Sequence, residues 1–287
     1  MGGVYLNLGC PVLAVMGSKS SGKTTVIELL APEMIRSGFS VAAVKHIAHK
    51  DFSIDTPGSD TWRLSNAGAR PIIAFSDGEV SIIVKAPTLS LDRLAEITLN
   101  LGANVLILEG FSSIALKERS IGKIICVRSM EEYIQFNEKV GNEVIAFCSL
   151  YNLNEPVLNI REDSEVIVKR ALNFVKKKTA ILEISKSLAG LNCGKCGNKS
   201  CEEMAEAIYE GRAKPEGCIV LKKMLALNAK IKIDGYEVPL QPFVSEFIRK
   251  TVLSMISSLK NVSIKGDERI YIEVSKSKVF NISHRET

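Results

Sequence analysis

The chain has 287 residues, 46% hydrophobic and 24% charged, which excludes a disordered or fibrous protein and leaves room for one full-sized α/β core plus one or two small modules. A formal charge of +5, sparse aromatic residues and scattered basic groups argue against nucleic acid as a partner, and the one basic run, Lys176-Lys177-Lys178, reads as a solvated helix end. The sequence shows neither a signal-peptide pattern nor a charge-free apolar run of about 18 residues, so the expectation is a cytoplasmic protein with no membrane span.

Val12 to Met16 reads as a buried parallel strand, a glycine-rich turn follows, and Thr25 to Ser37 carries Val26, Leu29, Leu30 and Ile35 as a helix face. Ser40 to Lys45 is the next strand, completing a right-handed crossover unit. A polar loop then leads to a helix from about Asp60, and two short runs flank Asp77-Gly78, the strongest hairpin signal in the chain, which predicts an antiparallel edge. Leu91 to Leu101 predicts a helix, Val105 to Leu108 a central strand ending at Glu109-Gly110, and Ile121 to Val127 and Glu143 to Cys148 two more strands. Glu162 to Lys176 is the closing helix of this unit, acidic at its start and basic at its end.

Gly17-Ser18-Lys19-Ser20-Ser21-Gly22-Lys23-Thr24, with Thr25 behind it, satisfies G-x-x-x-x-G-K-[ST] between a predicted strand and a predicted helix. The two glycines let backbone N–H groups face phosphate, Lys23 reaches the β- and γ-phosphates, and the Thr24 hydroxyl is placed for Mg²⁺. Glu109, delivered at the end of Val-Leu-Ile-Leu, is the candidate second acidic group for Mg²⁺. Lys45 and His46 close the second strand on the ligand side of the sheet, and His49 follows three residues on. The histidines with Asp51 supply zinc donor types without zinc spacing, so contact with substrate or phosphate, a structural metal and an ordinary loop all stay open. Asp55 and Asp60 flank Pro57-Gly58-Ser59, and Asp60 reads equally as a helix cap or a site carboxylate.

These segments, from the phosphate loop through Lys45-His46, the stretch from Asp51 to Trp62, Ala67-Gly68-Ala69 and Leu108-Glu109-Gly110-Phe111, resemble the molybdopterin-guanine dinucleotide biosynthesis adapter family, MobB, over about residues 10–178. The resemblance implies a GTP-binding dimer of weak GTPase activity that assists a guanylyltransferase in adding GMP to a molybdenum or tungsten pterin. It also implies that Lys23 and Thr24 hold phosphate and Mg²⁺, that Glu109 is the second acidic group, and that Asp60 and His46 line the same cleft, with Lys23, Glu109 and Asp60 as the catalytic candidates. No Asn-Lys-x-Asp sequence is present to read guanine, so the residues alone indicate only a nucleotide.

Cys10, Cys126 and Cys148 stand apart and read as core residues, whereas Cys193, Cys196, Cys201 and Cys218 are separated by two, four and sixteen residues. Four thiolates in one short segment suit zinc or a [4Fe–4S] cluster, and the spacing departs from the paired knuckles of zinc sites. The segment from Leu191 to Cys201, with Ala205, Ala207-Ile208, Gly211 and Cys218, resembles the iron–sulfur module of corrinoid iron–sulfur proteins and Rnf-type electron-transport subunits, which implies a [4Fe–4S] cluster. The expected architecture is thus α/β, a P-loop NTPase with a mostly parallel sheet and a hairpin edge at 1–180, an iron–sulfur module at 181–225, and a small α+β tail at 226–287. Two functions follow: the pterin-pathway adapter, or a nucleotide-gated redox protein passing electrons to a molybdo- or tungsto-enzyme.

Overall fold

The structure, a computed structural model, describes residues 8–49, 52–85, 90–225, 229–233, 235–260, 262 and 270–272. Lys50 and Asp51 of the expected loop lie outside them, as does Val274 in the expected 226–287 tail. Strand β1 (Val12–Gly17) leads through the glycine turn into α1 (Lys23–Arg36) and back to β2 (Val41–Lys45). After α2 (Asp60–Asn66) comes the hairpin of β3 (Ile72–Phe75) and β4 (Val80–Ile83), closed by the Ser76 N–H donating to the Glu79 carbonyl at 2.9 Å. It forms a two-stranded sheet of its own, not hydrogen-bonded to the main sheet among the described residues.

Helix α3 (Leu91–Asn100), β5 (Val105–Glu109), the single turn α4 (Ser112–Ala115), β6 (Ile121–Cys126), α5 (Met130–Asn137), β7 (Val144–Ser149) and β8 (Val157–Asn159) follow. The main sheet is parallel throughout in the order β2-β5-β1-β6-β7-β8. Its central strands are continuous apolar runs because both faces are covered. Leu13 and Val15 pack with Val26, Leu30 and Met34 of α1, while Val12, Ala14 and Met16 pack with Leu91 and Ala95 of α3 on the other face. Lys123 is fully buried in β6, where Nζ donates to the carbonyls of Glu118, Ile121 and Asn142 at 2.6, 2.8 and 2.7 Å. Burial pushes its pKa down to about 8.

Helix α6 (Ser164–Ser187) differs from the expected closing helix. It runs unbroken past residue 180, burying Ile167, Ala171, Phe174 and Val175 against the sheet and then Ile181 against Met204, Ala205 and Cys218. The lysine run therefore lies inside the helix and is not a solvated end: Lys178 is 4% exposed. Its Nζ stands 2.9 Å from Glu206 and 3.7 Å from Glu202 of α7 (Cys201–Tyr209). Burial alone would lower the Lys178 pKa, but the two carboxylates more than offset it and the net shift is upward. The chain continues through α8 (Ile219–Leu225), an antiparallel pair β9 (Ile231–Ile233) and β10 (Tyr236–Val238), and α9 (Pro242–Ser257).

Leu8, Cys10 and Pro11, just ahead of β1, line one small pocket with Lys178, Leu182 and Glu202. The four-cysteine unit thus docks where the strands begin, and Gly17 lies at their other end, roughly 20 Å away at about 3.3 Å per strand residue. No helix among the described residues is long and apolar enough to cross a membrane. Glu206→Ala should leave Lys178 buried with only the more distant Glu202 and cost about 2 kcal/mol, a buried-pair penalty reduced because Glu206 is 23% exposed. Denaturant titration of the two proteins measures it, and Glu183→Ala, whose ion pair with Lys186 is exposed, should cost under about 0.5 kcal/mol.

Candidate nucleotide site and thiol-lined pocket

Gly17 has φ +144° and Gly22 φ +96°, backbone that disfavours side chains, and the surroundings forbid them too. A Cβ on Gly17 would come 2.0 Å from the Cys126 carbonyl oxygen of β6, and one on Gly22 would come 2.7 Å from Ile160 and 3.0 Å from Leu150. The loop therefore lies hard against the ends of the neighbouring strands, with α1 starting at Lys23 and its first N–H groups facing the turn. Ser21 and Lys23 both close the loop on itself: Ser21 Oγ donates to the Ser18 carbonyl at 2.9 Å, and Lys23 Nζ donates to it at 2.5 Å. Lys23 is half-buried, with the Ser18 carbonyl as its partner.

Glu109 ends β5 beside this loop, 12% exposed, with Oε2 accepting from the Thr24 hydroxyl at 3.2 Å and Oε1 2.7 Å from Lys45 Nζ. The parallel register that pairs Lys45 with Glu109 produces that ion pair. The His46 N–H donates to the Glu109 carbonyl at 2.9 Å, and the His46 ring tilts against Phe111 with centroids 5.3 Å apart. Lys45, His46, Glu109 and Thr24 thus come together. His49 is exposed farther along the loop, and Lys19 and Ser20 are exposed at the loop tip, as is Thr25 behind it.

Asp55 and Asp60 behave differently from each other. Asp55 Oδ1 accepts from the hydroxyls of Thr61 at 2.7 Å and Ser59 at 2.8 Å. The Thr61 hydroxyl beside it holds this carboxyl below the usual carboxylate range, with burial opposing and Ser59 assisting. The cap of α2 is Ser59, whose Oγ accepts from the Trp62 N–H at 3.2 Å, so Asp60 is not the cap. Asp60 is 95% exposed and pairs with Arg63 at 3.5 Å; no hydrogen bond or ion pair joins it to the phosphate loop among the described residues.

Sequence reasoning missed Glu132, which supports the loop from α5. Its carboxylate accepts from Ser18 Oγ at 3.0 Å, from Arg128 Nε at 2.9 Å and from Arg128 Nη2 at 2.5 Å. Burial pushes the Glu132 carboxyl up, but the Arg128 and Ser18 hydrogen bonds outweigh it and its pKa falls below the ordinary value. The pattern Ser129-x-x-Glu132, in which Ser129 Oγ accepts from the Glu132 N–H at 3.4 Å, is a helix-start signal that marks α5 in the sequence. Nothing local announces the partnership with Ser18, 114 residues away.

Cys193, Cys196, Cys201 and Cys218 line one pocket together with Leu188, Met204 and Val220. All four are free thiols, ranging from exposed at Cys193 to buried at Cys218. Cys201 opens α7 behind the Ser200 cap and Cys218 directly precedes α8. The Leu221 N–H donates to Cys218 Sγ at 3.4 Å and Asn198 Nδ2 to Cys196 Sγ at 3.7 Å. Among the described residues no three His, Cys, Asp or Glu side chains converge tightly enough for a single metal ion, His46 and His49 included. Cys10, Cys126 and Cys148 are buried, as expected.

The family model "Molybdopterin guanine dinucleotide synthesis protein B" (MobB) matches residues 12–149, and a second, "Putative Fe-S cluster", matches residues 188–220. A Methanocaldococcus jannaschii protein described as "Putative molybdopterin-guanine dinucleotide biosynthesis adapter protein" is 30% identical over 267 residues, 93% of this chain and 99% of that one. The Haemophilus influenzae "Molybdopterin-guanine dinucleotide biosynthesis adapter protein" is 31% identical over 151 residues, 52% of this chain and 80% of that one. Among solved structures, Bacillus subtilis MobB is similar at 24% identity with a TM-score of 0.47, over 57% of this chain and 98% of that one.

Gly17→Ala tests the steric account of the loop. It should destabilise the protein by about 3 kcal/mol in denaturant titration, from backbone strain plus the clash with the Cys126 carbonyl. Gly38→Ala, also at positive φ but facing open space, should cost only about 1 kcal/mol.

Proposed function

The chain belongs to the MobB family of molybdopterin-guanine dinucleotide biosynthesis adapters, and on that footing we propose that it is a GTP-binding adapter with weak GTPase activity, assisting a separate guanylyltransferase in attaching GMP to a molybdenum or tungsten pterin. The observation that carries the reading is Glu109, a carboxylate at the tip of a buried strand that meets the Thr24 hydroxyl directly behind a glycine cradle shaped for phosphate. The nucleotide-binding residues are Gly17 to Thr25. Lys23 leaves the Ser18 carbonyl for the β- and γ-phosphates, and the N–H groups at the start of α1 face the same oxygens. Thr24 and Glu109 fit Mg²⁺, which when bound neutralises charge on the β- and γ-phosphates. Lys45 adds a positive charge at the same edge, next to His46. The exposed face of the β3–β4 hairpin, Ile73, Phe75, Val80 and Ile82, supports a homodimer.

For the thiol pocket we assign Cys193, Cys196, Cys201 and Cys218 as ligands of a [4Fe–4S] cluster. The donor set supports this: four free thiols lining one pocket, within a segment similar to an iron–sulfur model. Such a cluster, with every iron held by cysteine, supplies electron transfer or structural support. The units are then 1–180, 181–225 and 226–287, with α6 shared between the first two. The second reading, nucleotide-gated electron delivery to a metalloenzyme, draws on this pocket alone and has to act across the length of the sheet.

The reconstituted yield of pterin-guanine dinucleotide, with GTP and the transferase, separates the readings. Full-length protein and a Cys201→Ser, Cys218→Ser variant should both raise the yield, and Lys23→Ala should not. A yield that follows the cysteines and ignores Lys23 sinks the adapter reading. Glu109→Gln should lower GTP turnover at least about tenfold while changing affinity less, since its loss falls on charge placement in the transition state. Anaerobically prepared protein should hold about four irons and four sulfides per chain; stoichiometric zinc without iron rejects the cluster.

A further inference from the structure

Glu109 sets the direction in which a nucleotide lies. Thr24 and Glu109 would hold a divalent ion that would offset phosphate charge, and Lys45 adds a positive charge on the adjacent strand, so the most highly charged, terminal phosphate fits the side of β5 and β2. The nucleoside must then leave over β6, β7 and β8 on the other side of β1. The turns after β7 and β8 reach the loop itself, through Leu150 and Ile160 against Gly22.

Those turns carry an amide network whose polarity is forced. Asn159 Oδ1 accepts from the backbone N–H groups of Arg161 at 2.9 Å and Glu162 at 3.2 Å. Backbone N–H groups only donate, so the Asn159 oxygen has to face them and its Nδ2 has to face Asn152. That Nδ2 donates to Asn152 Oδ1, and the Asn159 backbone N–H is itself held by Asp163 Oδ2 at 2.7 Å. Asn152 thereby has its oxygen turned toward Asn159. Its Nδ2, a double donor on an exposed side chain, makes no hydrogen bond among the described residues.

We infer that Asn152 is the specificity-determining residue for the base, donating from Nδ2 to the 6-oxo group of a purine. This rests on the nucleotide reading of the phosphate loop. Guanine and hypoxanthine present an acceptor at that position and adenine presents an amino donor, so the arrangement favours GTP and ITP over ATP and is indifferent to the 2-amino group. The Arg128 guanidinium, fixed to Glu132, offers a flat cationic face at the end of β6 on the same side.

Asn152→Asp tests the donor alone, because a carboxylate oxygen still accepts from Asn159 while the outward N–H₂ becomes an acceptor. Full-length native protein, titrated calorimetrically, should bind GTP and ITP within about threefold of each other and ATP at least about tenfold more weakly. Asn152→Asp should lose about tenfold or more for GTP and ITP and nothing for ATP. Unchanged binding of inorganic tripolyphosphate by the variant shows that its loop is intact. A GTP-to-ATP ratio that does not move in Asn152→Asp, or strong discrimination of ITP from GTP by the native protein, overturns the inference while leaving the phosphate loop standing. Native protein that binds no triphosphate, or a Lys23→Ala protein that binds GTP undiminished, takes down the nucleotide reading and this inference with it.

Discussion

The carbonyl oxygen of Cys126 stands 2.0 Å from where a side chain on Gly17 would begin, and the nucleotide end of the molecule depends on that approach. It lets the turn after β1 fold over the end of β6 closely enough for Ser18 to meet Glu132 and for Gly22 to meet Leu150 and Ile160. The loop is therefore braced by three strand ends besides its own. Preorganisation of this kind matters because backbone N–H groups already aimed at phosphate need no reordering when the anion arrives. Lys23 and Ser21 hold the Ser18 carbonyl in the meantime, so the curl is internally hydrogen-bonded.

Much of this was legible in the sequence because the signals are local. The phosphate loop, the buried runs of β1, β5 and β6, the Asp77-Gly78 hairpin and the Glu109 strand end each rest on fewer than about ten consecutive residues. The thiol spacing also located one pocket, since loop closure over so short a segment brings the cysteines together. Where the answer lay in tertiary packing, the sequence was silent or misleading. Three lysines look like a solvated helix end until Glu202 and Glu206 arrive from another helix to neutralise the last of them. Ser59 and Asp60 are equally good caps by type, and the extended backbone at Ser59 decides between them. Glu132 and Ser18 are joined only by the fold.

Glu109 combines two demands that pull in opposite directions. A carboxylate mostly shielded from water is costly without a positive partner, and Lys45 on the adjacent strand provides one at 2.7 Å. The pairing follows from the strand register, so the charge that stabilises the protein without ligand also stands beside the phosphate edge. The molecule thus keeps the Glu109 carboxylate and the Lys45 ammonium matched to each other, with neither left as a bare charge.

The uninterrupted course of α6 between the two cores has a geometric consequence. A flexible linker would let the thiol-bearing unit take many orientations, but a helix turns about 100° for each residue added or removed. The bearing of the cysteine pocket on the sheet is therefore written in the residue count between Phe174, which packs on the strands, and Ile181, which packs under α7. One inserted alanine in that stretch would swing the unit about a quarter turn around the helix axis and carry Lys178 away from Glu206. Chains of this architecture should tolerate many substitutions along α6 and very few changes in its length.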